Sequence, residues 1–185
     1  MASNHLSKFS FFFVTFLFFL NIFVNAAKIK ENFSKEKLTH LHFYFHDLVT
    51  ATKPTVVQVA AAPNSTGRVT PFGSVMIVDD LLTETPDPTS KLLGKAEGLY
   101  SSVSQSDITF LMALNFVFTE GKYNGSTISI FGKNSILSKV REMPVVGGTG
   151  MFRFARGYAL AKTYVFNVTT LNAIVEYDVY VFHYN

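Results

Sequence analysis

The sequence has 185 residues, of which 48% are hydrophobic, and a formal net charge of +3. This length fits a single domain. Because there is no cysteine, a disulfide scaffold, a thiolate nucleophile and a cysteine-ligated metal are excluded. No clustered lysine and arginine stripe accompanies the small charge, so nucleic acid is excluded as a partner.

Residues 1–26 have the pattern of a secretory signal peptide. Lys8 precedes an apolar run, Phe9–Phe23, which holds eight of the 20 phenylalanines, and small residues follow it. The run is shorter than the ~20 apolar residues of a membrane span. We therefore predict cleavage after Ala26 or Ala27, secretion to the extracellular space, and no membrane span after cleavage.

Four Asn-X-Ser/Thr sequons support the secretory interpretation, because such sequons accept N-glycans in secreted chains. They begin at Asn32, Asn64, Asn124 and Asn167. We expect glycosylation of at least one. A secreted chain without cysteine must be stabilised by its core or by assembly with copies of itself.

The chain after the leader divides into a polar, flexible arm at 27–37 and one domain at 38–185. The domain alternates apolar and polar residues with period two, interrupted by Gly, Pro, Asn and Asp. Eight or nine strands in so small a domain indicate an all-β antiparallel barrel or a sandwich. The predicted strands are 39–47, 55–61, 72–79, 94–102, 108–118, 125–132, 138–146, 152–165 and 173–184, with loops at 62–71 and 81–91.

The predicted strand 152–165 has one bulky and one small face. The small face predicts either a cavity wall or close approach of another backbone. In the last strand both faces carry apolar residues, so its outer side is expected to be covered by another subunit. The small face comprises Ala155, Gly157, Ala159, Ala161 and Thr163.

Asp47 is the first candidate for chemistry, because it ends the apolar face formed by Phe43 and Phe45. A carboxyl group there would be partly desolvated and its pKa raised, which suits a general acid or base. The alternative is that Asp47 only opens the next turn. Arg141 and Arg156 are embedded in predicted strands, where a buried arginine needs an acidic partner or an anionic ligand.

Other polar motifs predict no further chemistry. His40 and His42 share a strand face but could share a metal only with ligands from other strands, so we expect these histidines, and His46, to be packed or exposed. The glycine-rich segment 145–150 lacks the lysine of a phosphate-binding loop and predicts a structural turn. Two adjacent acids, at 79–80, are expected to be solvated. The sequence thus predicts no metal.

Four motifs span nearly all of the chain after the leader. They are Tyr44-Phe-His-Asp, Phe72-Gly-Ser-Val-Met-Ile-Val-Asp-Asp, Gly94-Lys-Ala-Glu-Gly-Leu-Tyr and Val145-Val-Gly-Gly-Thr-Gly-Met-Phe-Arg-Phe-Ala-Arg-Gly. In this order and spacing they resemble the plant dirigent proteins. The absence of cysteine and the segment Lys139-Val-Arg-Glu-Met-Pro are most similar to the cysteine-free branch, which includes the legume pterocarpan synthases.

This resemblance implies an eight-stranded antiparallel β-barrel of the dirigent and allene oxide cyclase type, a homo-oligomer (a trimer, with a dimer as the alternative) and apoplastic secretion. It implies Asp47 and Arg141 as catalytic residues and Tyr100 and Thr163 as substrate-binding residues. Asn134 occupies the pocket position where the family has a second acid. Asparagine cannot supply a proton at neutral pH, so Asp47 is left as the principal acid or base.

The implied function is control of stereochemistry in phenoxy-radical coupling or quinone-methide closure of phenylpropanoids. It includes pterocarpan formation by dehydration of an isoflavanol, which would make the protein a hydro-lyase. The expected partners are a small phenolic (a quinone methide, an isoflavanol or a monolignol radical) and an upstream oxidase or reductase that supplies it. No cofactor is expected. Two alternatives remain open, a non-catalytic phenolic-binding barrel and an organiser of lignin or Casparian-strip deposition.

Overall fold

A computed structural model describes residues 15–23, 35–63 and 71–184. It divides the chain into two compact units, Met1–Glu36 with Asn185, and Lys37–Tyr184. In the first unit, residues 15–23 are helical. Within the described ranges, no helix is long and apolar enough to cross a membrane. The predicted cleavage position, most of the predicted arm, and the sequons at Asn32 and Asn64 lie outside the described residues.

The second unit is an antiparallel sheet, and each of its strands lies close to a predicted one. Turns rich in Gly, Asn, Asp and Pro separate the strands, as expected from the conformational freedom of these residues. The strands are β1 Glu36–Asp47, β2 Val56–Ala60, β3 Val75–Thr83, β4 Leu92–Ser102, β5 Thr109–Phe118, β6 Thr127–Ser135, β7 Arg141–Thr149, β8 Arg156–Phe166 and β9 Ala173–Tyr184.

Eight of these strands close into a barrel, which decides between barrel and sandwich. Neighbouring strands follow the order β1-β9-β8-β7-β6-β5-β4-β3, and β1 pairs with β3 to complete the ring. The short strand β2 pairs with another part of β3, next to Val75–Val78, and is the ninth strand. The prediction of an eight-stranded antiparallel β-barrel is therefore confirmed.

Alternate side chains fill the barrel, as the period of two requires. The small face of β8 points inward, since Ala159 and Ala161 are fully buried, whereas Arg156 and Tyr164 are exposed. In β9 the inward face ends at His183. The small residues Ala159 and Ala161 of β8 therefore lie on the inside of the barrel wall.

One end of the barrel is closed by an aromatic cluster. A short 3-10 helix, Gly150–Phe152, follows β7 and buries Phe152 completely. The Phe152 ring lies 4.9 Å from the ring of Tyr123 and 5.1 Å from that of His183, measured between centroids. Aromatic side chains therefore fill this end of the barrel.

Two predicted boundaries were wrong. Residues 152–155 are not part of β8, because the chain forms the 3-10 helix and then turns at Phe154, whose φ of 60° is incompatible with a strand. Residues 81–83, predicted as loop, instead continue β3, where Leu82 and Thr83 are buried. The glycine-rich segment, predicted as a turn, lies mostly at the end of β7.

Candidate functional site

The antiparallel order brings the polar interior residues to one end of the barrel, opposite the aromatic cluster. There the last residues of β1, β4, β6 and β8 meet the first residues of β7 and β9. Each residue predicted for the pocket lies on one of these strands. The polar residues at this end are Asp47, Asp80, Tyr100, Asn134, Arg141, Thr163 and Tyr177.

Asp47 is the last residue of β1, and its carboxyl group lies in the barrel interior. Its Oδ1 atom is buried without a hydrogen-bond partner in the described part of the chain, while the Tyr100 hydroxyl donates to the carboxyl group. Burial raises the pKa of Asp47 to about 7, and the Tyr100 bond opposes part of this rise. A neutral carboxyl group is therefore available near neutral pH, as an acid site requires.

Asp80, on β3, is a second buried acid, which corrects the expectation that both adjacent acids are solvated. Adjacent strand residues point to opposite faces. Asp79 lies outside, 2.9 Å from the Nζ atom of Lys95, whereas Asp80 is completely buried. Thr55 donates a hydrogen bond to Asp80 Oδ1, and Oδ2 has no partner among the described residues.

The two acids are neighbours. β1 pairs with β3 so that His46 faces Leu81, and one further step in this register places Asp47 beside Asp80. Burial, followed by the negative charge of Asp47, raises the pKa of Asp80 to about 8, and the Thr55 hydrogen bond opposes this rise. Two close carboxyl groups titrate as a coupled pair, so at neutral pH at least one proton is retained between them.

Two tyrosines border the acids. Burial raises the pKa of Tyr100 far above its ordinary value, and the charges of Asp47 and Asp80 raise it further. Tyr177 on β9 is also buried, and burial raises its pKa although the positive charge of Arg141 opposes the rise. Both hydroxyls therefore stay protonated and act as hydrogen-bond donors to an anionic neighbour.

Arg141 begins β7 and is buried, with 5% of its surface exposed. Its Nε donates to Asn134 Oδ1 at 3.1 Å, and its Nη1 donates to Thr163 Oγ1 at 2.9 Å. Both acceptors are uncharged, so these bonds orient the guanidinium group without neutralising it. The positive charge is thus held in place to act on an anionic oxygen in the pocket.

The histidines of β1 have different surroundings. His46 is buried and hydrogen-bonded to Thr83 at 2.7 Å, and burial lowers its pKa. His40 and His42 lie on the outer face, where the neighbouring strand β9 supplies Glu176 and Asp178. The sequence alone could not place these carboxylates beside the histidines, because they come from another strand.

Two of the four predicted glycosylation sites lie in the described part of the chain. Asn124 is exposed in the turn between β5 and β6, and Asn167 is exposed in the turn between β8 and β9. The Asn167 Oδ1 atom accepts hydrogen bonds from the backbone of Thr169 and Thr170. Both positions are accessible, as a glycan acceptor must be.

Sequence reasoning missed Asp80 and Tyr177. Asp80 alternates with Val78 and Leu82, both buried, which is the same signal that identified Asp47. Tyr177 lies on one of the two largely apolar faces of the last strand, where nothing in the sequence distinguishes it from its apolar neighbours. For both residues the sequence indicates which face of the strand carries the side chain. It does not indicate how far along the barrel axis that side chain lies.

Comparison with known proteins agrees with this barrel fold. The family model described as "Dirigent-like protein" matches residues 38–182. Dirigent protein 21 of Arabidopsis thaliana is 57% identical over 148 residues, 80% of this chain and 78% of the relative. Pterocarpan synthase 1 of Glycyrrhiza echinata is 54% identical over 153 residues, 82% of this chain and 81% of the relative.

A solved structure is similar over the same region. The structure of the pterocarpan synthase dirigent protein GePTS1 superposes with a TM-score of 0.78 at 53% identity, covering 82% of this chain and 93% of that chain. The family match extends over nearly the whole barrel, and the relatives match well above the level at which only a fold is shared. This chain belongs to the dirigent family.

Proposed function

We propose that the chain directs the closure of a phenolic quinone methide, as in the dehydration of an isoflavanol to a pterocarpan. The observation that carries this proposal is the pair of buried carboxyl groups, Asp47 and Asp80, which retains a proton at neutral pH beside a fixed guanidinium group. The similarity of this chain to proteins named pterocarpan synthase supports the same reaction class.

The reaction removes one water without a redox step. A carboxyl group protonates the departing hydroxyl, the carbon–oxygen bond breaks and water leaves. A phenol conjugated to that carbon returns a proton to the carboxylate, which leaves a neutral quinone methide. The second phenolic hydroxyl then adds to the carbon, and its proton passes to the quinone-methide oxygen. Atoms and charge balance, and no cofactor is required.

Each residue of the site has a role in this scheme. Asp47 is the acid, held by the Tyr100 hydroxyl. Arg141 stabilises negative charge on the phenolic oxygen as the quinone methide forms and reacts. Asn134 and Thr163 hold Arg141 and line the pocket. Asp80 supplies the second carboxyl group, a role that Asn134 cannot fill.

The experiment is to incubate the purified protein with a racemic isoflavanol and separate the pterocarpan products by chiral chromatography. We expect accelerated formation of one enantiomer. Asp47→Asn should lower the rate by about 100-fold or more, the usual size of general acid catalysis. Asp79→Asn, which changes an exposed acid on the same barrel, is the matched control and should retain full activity.

Other outcomes of this experiment would favour one of the alternative functions. Neither acceleration nor enantiomeric excess, with isoflavanols and with monolignol radicals alike, would reject the proposal. Saturable phenolic binding without any change in product would then indicate a binding barrel. An effect confined to deposition of wall polymer would indicate an organiser of lignin or the Casparian strip.

We also propose that the protein is cleaved near residue 26, secreted to the apoplast, glycosylated and assembled as a homo-oligomer, most simply a trimer. The exposed Asn124 and Asn167 support glycosylation. An exposed apolar patch formed by Val57, Val59 and Ile77 on β2 and β3 supports assembly. Light scattering gives the subunit number, and enzymatic deglycosylation with mass spectrometry gives the sites used.

A further inference from the structure

A cluster of charged side chains lies on the outer surface of the barrel, on the other side of the barrel wall from the proposed reaction. We call it the outer cluster and define it as His40, His42, Lys162, Glu176 and Asp178. The two histidines alternate on β1 and the two acids alternate on β9, so all four side chains point away from the barrel interior. Lys162 reaches the acids from β8.

The distances within the outer cluster are short. His42 Nε2 lies 3.0 Å from Glu176 Oε1, and His40 Nε2 lies 2.8 Å from Asp178 Oδ1. One ligand atom from each of His42, Glu176 and Asp178 can be chosen so that all three lie within 4.8 Å of one another. Small side-chain movements bring such atoms to a shared ion, because metal–ligand bonds to nitrogen and oxygen are about 2.0–2.2 Å long.

The position of Lys162 marks where a cation is stabilised. Its Nζ lies 3.7 Å from Glu176 Oε2 and 3.5 Å from Asp178 Oδ2, between the two carboxylates. Lys162, Glu176 and Asp178 together carry a formal charge of −1, so the carboxylates outnumber the ammonium group that lies between them. A divalent ion that displaced the flexible lysine would bind the same carboxylates and gain an imidazole ligand that an ammonium cannot use.

The ligand groups are already oriented. The His40 ring stacks on Tyr180 with centroids 4.5 Å apart and an interplanar angle of 12°, and its Nε2 bond holds Asp178. The His42 ring meets the edge of Tyr44 at 5.3 Å. Such supporting contacts reduce the entropy lost on metal binding and tune the ligands.

We propose that His42, Glu176 and Asp178 form a surface site for a divalent ion of the zinc class, in competition with the Lys162 ammonium. One imidazole and two carboxylates are a ligand set typical of zinc, whereas Ca²⁺ and Mg²⁺ prefer oxygen ligands alone. His40 is a positioning residue that holds Asp178. The site is independent of the proposed reaction, because its side chains lie on the opposite face of the barrel wall.

The test is calorimetric titration of the purified full chain with ZnCl₂, with MgCl₂ as the comparison. We expect one Zn²⁺ per chain and no comparable binding of Mg²⁺. His42→Gln and Asp178→Asn should each weaken Zn²⁺ binding at least tenfold. Lys162→Met should tighten it, because the competing ammonium is removed. Asp79→Asn is the control, because it removes an exposed acid of β3 that is not part of the outer cluster. It should bind Zn²⁺ like the wild type.

The opposite effects of these substitutions separate a metal site from a structural ion-pair network. If the cluster only stabilises the fold, Lys162→Met would not strengthen Zn²⁺ binding. Absence of saturable binding to the wild type, or equal binding by His42→Gln and the wild type, would overturn the proposal. Circular dichroism of each variant tests whether its fold is retained. Where the fold is retained, weaker Zn²⁺ binding is caused by the change at the site.

Discussion

Replacing Asp80 by asparagine should stabilise the folded chain at alkaline pH. Burial raises the pKa of Asp80 from 3.8 to about 8, so the folded state holds a proton that the unfolded chain releases. The contribution of such a group is fully present below pH 3.8 and is lost progressively as the pH rises to about 8. Asparagine keeps the shape and can still accept the Thr55 hydrogen bond, but it carries no ionisable proton.

The magnitude follows from the width of that pH window. Between pH 5 and pH 8 the unfolded carboxyl group is ionised and the folded one is mostly protonated, so the free energy of unfolding falls by up to about 4 kcal/mol at about 1.4 kcal/mol per pH unit. Relaxation and water entry around a buried charge reduce such penalties, so we expect roughly 2 kcal/mol. We expect the free energy of unfolding of the wild type to fall by this amount between pH 5 and pH 8, and that of Asp80→Asn not to show this fall.

The assay is urea unfolding at pH 5, 6, 7 and 8, followed by far-ultraviolet circular dichroism and tyrosine fluorescence, because the chain has no tryptophan. Asp79→Asn is the control, since Asp79 is exposed and paired with Lys95. It should stay within about 0.5 kcal/mol of the wild type at each pH. Parallel pH profiles for the wild type and Asp80→Asn would refute the assignment of Asp80 as a buried neutral acid.

Four further predictions test the packing and the site. Phe152→Ala should destabilise the barrel by about 3–5 kcal/mol in urea unfolding, and a loss below about 1 kcal/mol would contradict its role as the plug of the closed end. Gly157→Ala should lower the melting temperature, because a Cβ atom would lie 1.9 Å from the Tyr180 carbonyl oxygen and φ is 153°; an unchanged value would show that the strands can separate there. Pterocarpan formation should fall as the pH rises above about 7 and Asp47 ionises, so a rate that increases through this range would exclude Asp47 as the acid. Arg141→Lys should slow the reaction, because a single ammonium nitrogen lacks the planar fork that reaches Asn134 and Thr163 together, and full activity would remove Arg141 from the mechanism.

The strands were predictable because side-chain alternation is a local property. Each predicted strand overlaps an observed one, and the inward direction of Phe43, Phe45 and Asp47 follows directly from their parity. Predicted boundaries were wrong where a single residue departed from extended geometry, as at Phe154, or where a strand continued into a segment predicted as a loop, as at Thr83.

The site was only partly predictable. Parity places Asp47 and Asp80 on inward faces, but whether either carboxyl group meets solvent depends on how far each residue lies from the open end. The register between β1 and β3 decides that distance, and it joins strands that are separated by β2 and a long loop. The partners of Arg141 are equally non-local, since Thr163 comes from the neighbouring strand β8.

The sequence by itself determined the all-β class, the alternating faces, the absence of cysteine chemistry and, through four ordered motifs, the resemblance to the dirigent family. Only the tertiary structure decided that the sheet closes, that Asp80 joins Asp47 as a coupled pair, and that β9 supplies carboxylates to the histidines of β1. The physical reason is that alternation depends on adjacent residues, whereas pKa values and ion binding depend on which distant strands become neighbours.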